Sequence, residues 1–268
     1  MIRLLLVFLA LSAVVGNGEV TPPASLPCFP GAYYRKAVSS FDDWTGIEGL
    51  LTLPNPIFDE TRKSAQGRFL DNPSIYMGGR AANEEIDAGL TWAGLKQTDD
   101  GSISKEGKAF RIFWRNDKWH MGPKDPELTF FPGDTIRMRC ETTERGKLKL
   151  NVQLLSRGNH APQEFQSKTN GLFETEFSAV NFGPKQVQQF KRVNAIDQVG
   201  REGKSADPTA TKVLSSTWHE VWLLRGTNRV PMTPEKFTDM RCPSADHLEV
   251  VPFQQSGERI SIIGGAAR

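Results

Sequence analysis

The sequence predicts an all-β protein built as a two-sheet antiparallel β-sandwich of jelly-roll or concanavalin-like type. Three observations carry that expectation. Apolar residues recur at every second position through much of the chain, which is the period of a strand with one buried face. Glycine and proline, 24 and 17 of the 268 residues, interrupt these stretches at short intervals. Amphipathic stretches of ordinary helix length are missing from the pattern.

The first segment, "MIRLLLVFLALSAVVGNGEV", has the form of an export signal. Arg3 supplies the positive start, Leu4 to Val15 an apolar run too short to span a bilayer, and Ala13, Gly16 and Gly18 the small residues of a cleavage site. Residues 1–18 are therefore expected to be a signal peptide and residues 19–268 a single β-sandwich domain, secreted and extracellular. No membrane span is expected, because no later stretch approaches the roughly 18 apolar residues of a spanning helix.

The strand candidates follow in order. "FDDWTGIEGLLTL" fits either a short helix or an extended segment, since Gly46, Gly49 and Pro54 break it up. "SIYMGG" and "EIDAGLTW" read as strands, with Gly78-Gly79 expected at a tight turn or bulge of positive φ. "KAFRIFWRND" sends Phe110, Ile112 and Trp114 to one side and Arg111, Phe113 and Arg115 to the other. "TIRMRCET" and "GKLKLNVQLL" alternate cleanly, and Glu144-Arg145-Gly146 between them makes a hairpin. "LFETEFSAV", "QQFKRVNAI", "TWHEVWLLRG", "HLEVVPF" and "RISIIG" are further strands. Residues 201–212 read as a surface loop, and "TPEKFTDM" as a short capped helical turn. Strand length and spacing suggest about ten to fourteen strands, as in a jelly roll.

Three cysteines cannot all pair within one chain. Cys140 shares the apolar face of its strand with Ile136 and Met138 and is expected to be a buried free thiol. Cys28 and Cys242 lie beside prolines near the two ends of the domain, and a disulfide between them suits an oxidising compartment. The net charge of +2, with acids and bases mixed throughout, argues against nucleic acid as a partner. His120, His160, His219 and His247 show no zinc-ligand spacing, and no Gly-x-Ser-x-Gly elbow occurs, so neither a metal site nor a serine nucleophile is expected. Carboxylates in loops leave calcium as a weak expectation and no other cofactor.

The stretch "IYMGGRAANEEIDAGLTW" draws most attention. As a strand, "EEIDAGL" places Glu85 and Asp87 on one face about 7 Å apart. Carboxylates so placed can push one another's pKa values apart, as acid/base catalysis requires. The same acids would otherwise cap a turn and pair with Arg80 or Arg111. Glu85-Ile86-Asp87 resembles the start of the Glu-x-Asp-x-Glu strand of laminarinase-type β-jelly-roll glycosidases. That resemblance implies a nucleophilic Glu85 and an assisting Asp87, while the position of the final acid/base holds Gly89. The segments "QFKRVNAIDQVGREGKSADPT" and "VLSSTWHEVWLLRG" resemble secreted bacterial-type proteins, which implies extracellular placement.

Aromatic residues give the leading functional expectation. Arg111, Phe113, Arg115, Trp119 and Trp92 have the composition of a sheet face on which sugar rings stack and hydrogen-bond. The sequence thus predicts a secreted recognition or matrix protein, its partner a carbohydrate or a matrix or cell-surface glycan. The alternatives are a polysaccharide-degrading glycosidase or lyase using Glu85 and Asp87, and a structural protein without a small ligand. Whether the protein is an enzyme stays open at this point.

Overall fold

The structure is a computed structural model and describes residues 20–92 and 109–265. The expected export signal lies outside those residues. Among the described residues, sixteen strands form two antiparallel sheets packed face to face. The seven-stranded sheet contains β1 (Ala32–Ser39), β4 (Asp71–Ala81), β5 (Glu84–Trp92), β6 (Phe110–Arg115), β7 (Trp119–Met121), β11 (Gln189–Gln198) and β14 (Phe237–Cys242). Its order is β14-β1-β11-β4-β5-β6-β7. The nine-stranded sheet contains β2 (Gly46–Thr52), β3 (Asn55–Ile57), β8 (Thr135–Thr142), β9 (Lys147–Ser156), β10 (Leu172–Ser178), β12 (Lys212–Arg225), β13 (Asn228–Pro231), β15 (Leu248–Phe253) and β16 (Gly257–Ile263). Its order is β10-β9-β8-β2-β12-β16-β15, with β3 and β13 also pairing with β12. The strand count exceeds the sequence-based range because β3, β7 and β13 are too short to show a period.

Alternation builds the core as expected. Ile75 and Met77 of β4 and Ile86, Ala88 and Leu90 of β5 face Ile136 and Met138 of β8 and Leu148, Leu150 and Val152 of β9. Burial of each large aliphatic side chain contributes about 1.5–3 kcal/mol. The hairpin β8–β9 forms as expected, closing through Gly146 at φ +84°. Cys28 and Cys242 are joined, and Cys140 is a buried free thiol whose pKa burial pushes up to about 12.

Other expectations need correction. "FDDWTGIEGLLTL" yields strand β2, whose inward Gly49 leaves its Cβ space to the Trp218 ring, 2.7 Å away. "TPEKFTDM" gives one 3-10 turn, Pro234–Lys236, and then strand β14. Gly78 and Gly79 lie within β4, neither at a turn nor at positive φ. They are glycines because neighbouring backbones occupy the Cβ positions, Ile86 O at 1.9 Å and Gln189 O at 2.2 Å respectively.

The interior also holds charge. Arg35 of β1 and Arg192 of β11 both reach across to Glu258 of β16, Arg35 Nη2 at 3.2 Å from Oε2. All three side chains are buried. Beside them Trp218 Nε1 donates to Asn194 Oδ1 at 2.8 Å, and Asn194 Nδ2 donates to Ser216 Oγ at 2.6 Å.

Candidate active site

The outer face of the seven-stranded sheet brings together most of the residues singled out in the sequence. One row across the strands runs Val38, Lys191, Gly78, Asp87, Arg115, Trp119. The adjacent row runs Lys36, Val193, Tyr76, Gly89, Phe113, Met121. Gly78 and Gly89 therefore lower the middle of the face. A Cβ at Gly89 would lie 2.6 Å from Tyr76 Cα, so that position also admits no side chain.

Lys191 exploits the gap. Its side chain passes over Gly78, and Nζ lies 2.7 Å from Asp87 Oδ1 and in close contact with Glu85 Oε1. Lys36 Nζ stands 3.6 Å from the same Glu85 oxygen. Lys191 is buried, Asp87 is mostly buried, and Glu85 reaches solvent. Burial alone would raise the Glu85 pKa, but the charges and hydrogen bonds of Lys191 and then Lys36 outweigh it and hold the value down at about 2. Burial likewise works against a charged Lys191, and Asp87 and Glu85 overcome it, raising its pKa. The result is an ammonium fixed between two carboxyl groups.

Two tyrosines border this cluster. Tyr76 is raised well above the ordinary phenol value by burial and then by the negative charge of Asp87. Tyr34, raised mainly by burial, sits within the field of Lys191 and Glu85. Further along the face, Asp197 accepts from Ser74 Oγ at 2.5 Å. Its pKa is pushed up to about 6, first by burial and with a contribution from Asp87.

Of the expected residues, Glu85, Asp87, Phe113, Arg115 and Trp119 share this face. Glu85 and Asp87 pair with lysines rather than with Arg80 or Arg111. Arg80 Nε donates to Ala82 O at 3.2 Å, and Arg111, 6% exposed, donates from Nη2 to Pro123 O at 2.7 Å. Trp92 faces the other way, into the core, where it packs edge-on against Phe110. Phe113 is 2% exposed, stacked at 4.5 Å on Trp119 and met edge-on by Tyr76. Trp119 keeps 52% exposure.

Lys191, Lys36, Tyr34, Tyr76 and Asp197 were missed from the sequence. Consecutive Lys191-Arg192 reads as a solvated pair. Only the placement of β11 between β1 and β4 sends Lys191 toward the acids and Arg192 into the core. Among the described residues, no group of three or more His, Cys, Asp or Glu is placed to hold a metal ion.

No family model matches the sequence, and no curated protein matches it. The solved structures do give a likeness. A complex of scytalido-glutamic peptidase with a peptide-based transition-state analogue has a TM-score of 0.55 at 9% identity, over 87% of this chain and 98% of that one. A second complex of scytalido-glutamic peptidase, with a transition-state analogue inhibitor, has a TM-score of 0.56 at the same identity and coverage. The fold is similar to that of a glutamic peptidase.

This corrects the functional expectation. The neighbours are peptidases, so the glycan-binding role and the glycosidase or lyase alternative are both withdrawn. The face itself explains the misreading. Trp92 points into the core, Phe113 is covered by its neighbours, and the Arg111 guanidinium is tied to backbone.

Proposed function

We propose that the protein is an exported peptidase whose site is the Lys191–Asp87–Glu85 cluster. One observation carries the reading: a buried lysine holds two carboxyl groups on the outer sheet face of a sandwich similar in fold to a glutamic peptidase. Gly78 carries no side chain, so Lys191 can lie across it and reach both acids. In the proposed reaction, the Asp87 carboxylate takes a proton from the attacking water. The carbonyl oxygen gains negative charge, which the Lys191 ammonium stabilises. Asp87 then returns the proton to the departing amine, and the peptide C–N bond breaks. Glu85, ionised down to about pH 2, keeps Lys191 charged. The leader sequence and the Cys28–Cys242 disulfide support export.

The test is incubation with a mixed peptide library from strongly acid to neutral pH, with new termini read by mass spectrometry. Cleavage is expected, and Asp87→Asn should abolish it. Absence of new termini at every pH would exclude hydrolysis. A second reading, peptide binding without turnover, is favoured by one observation. Lys191 contacts both Asp87 and Glu85, so each carboxyl group is already held in an ion pair where the reaction would need it to accept a proton from water. Retention of library peptides with no new termini would support it.

A further inference from the structure

Residues 20–31, "VTPPASLPCFPG", form no strand, yet they run along the outer face beside β14 and β1. Val20 and Thr21 lie with Ser40, Trp44 and Lys236 around a small cavity. Thr238 Oγ1 donates to the Pro23 carbonyl at 2.5 Å, and Cys28 is bonded to Cys242. The Phe29 backbone N–H donates to Tyr34 Oη at 2.6 Å. Leu26 packs, half-buried, on an apolar strip containing Tyr34, Val38, Val193, Ala195 and Met240. The segment then turns into β1 at Gly31, φ +96°, where a Cβ would lie 2.3 Å from Arg201 O.

Positions 22, 23, 27 and 30 of this strap are proline. Proline fixes φ, lacks a donor and favours an extended chain with solvated carbonyls, and such chains dock on aromatic-lined surfaces at little entropic cost. Tyr34 and Tyr76 supply the aromatic lining here. Both also stand next to the Lys191–Asp87–Glu85 cluster, since each feels the charge of Glu85. The strap therefore lies on an apolar strip that leads directly to the site.

We propose that this strip is a docking site for extended, proline-rich peptides, and that the strap is its tethered internal occupant. The inference deepens the peptidase reading by naming a ligand class, but the strip binds whether or not Asp87 turns a peptide over. The strap is continuous with β1, and the disulfide pins it to β14, so an external peptide competes against a high local concentration.

The test uses the full chain carrying Leu26→Asp, Cys28→Ser and Cys242→Ser. The probe is a fluorescent synthetic peptide of residues 20–31 with serine at position 28. The triple variant should bind it at least about tenfold more tightly than the unaltered protein. Unaltered protein treated with a small dithiol, which is oxidised to its cyclic disulfide as the two cysteines become thiols, should also bind more tightly. That second arm needs no substitution that could prevent folding. Equal binding before and after dithiol treatment, or none in either protein, would overturn the proposal. A probe with its prolines replaced by alanine should bind about tenfold more weakly; undiminished binding would rule out the proline-rich class. All arms read binding, so a failure to hydrolyse peptides leaves their outcome interpretable.

Discussion

Lys191 Nζ meets Asp87 Oδ1 at 2.7 Å over the bare Gly78, with three adjacent strands contributing one residue each. The contact exists because β4 offers no side chain where β11 and β5 face each other across it. A Cβ at residue 78 would sit 1.9 Å from Ile86 O, a backbone atom that cannot rotate away. Gly78→Ala should therefore separate β4 from β5 and cost about 3 kcal/mol in chemical denaturation. A loss below about 1 kcal/mol would mean that the two strands tolerate displacement.

Removing the lysine tests the electrostatics. Lys191→Met leaves Lys36 as the cation 3.6 Å from Glu85. The Glu85 midpoint, read by carboxyl NMR titration, should rise from about 2 toward the ordinary value near about 4.3. Because the folded value is depressed, the stabilisation is present above the unfolded pKa and is lost as pH falls through about 2. The variant should lose that acid-range dependence. An unmoved midpoint would assign the effect to Lys36 alone.

Particular residues explain how much of this was legible. Strands β8 and β9 alternate because one face meets hydrocarbon while the other carries charged side chains paired with one another near solvent, so both were readable. β1 was not, because its inward face carries Arg35 between Tyr33 and Ala37. Arg192 and Asn194 disturb the inward face of β11 in the same way. A buried ion pair makes a core position look like a surface position, and only the partner strand reveals the difference. At the site, Glu85 and Asp87 were legible from their two-residue spacing. Their lysines come from positions more than a hundred residues away or on a strand that was not recognised. Trp92 was misassigned although the two-residue period of its strand places it with Ile86, Ala88 and Leu90 on the inward face.

The buried triad predicts a sharp asymmetry. Glu258→Gln leaves Arg35 and Arg192 charged between the sheets and should cost about 3–5 kcal/mol. Replacing all three together by Met, Met and Leu should recover most of that loss, because the desolvation of three charges is removed at once. Thermal unfolding of the two variants decides the matter. If the triple variant is no more stable than Glu258→Gln, the triad itself supplies net stability. Burial raises the Glu258 pKa, but the Arg192 and Arg35 charges more than offset this and hold it below the ordinary value. Its contribution is therefore present above about 4.3 and falls away in acid.

Asp197 has the opposite sign. Its pKa is raised from 3.8 to about 6 by burial, so the folded state holds a proton that the unfolded state has released. Stability must then fall as pH rises from 3.8 through about 6. Asp197→Asn keeps an acceptor for the Ser74 hydroxyl without the charge. The difference in unfolding free energy between variant and unaltered protein should grow across that window to about 3 kcal/mol. A difference that stays constant with pH would show that Asp197 titrates alike in the folded and unfolded chain.

The disulfide ties the strap to β14 and closes a sequence separation of 214 residues. In the chain-entropy account a loop of that length contributes roughly 5 kcal/mol by restricting the unfolded chain. Reduction should therefore lower the unfolding midpoint strongly. The Cys140 thiol, fully buried and raised to about 12, should stay unmodified by alkylating reagents in the folded protein. Mass spectrometry after alkylation under native reducing conditions should find label at the exposed Cys28, and at the buried Cys242 as the freed strap uncovers it. A third label would mean that the sheets open around β8 once the strap is released, making the disulfide a clamp on the whole sandwich as well as on its N-terminal segment.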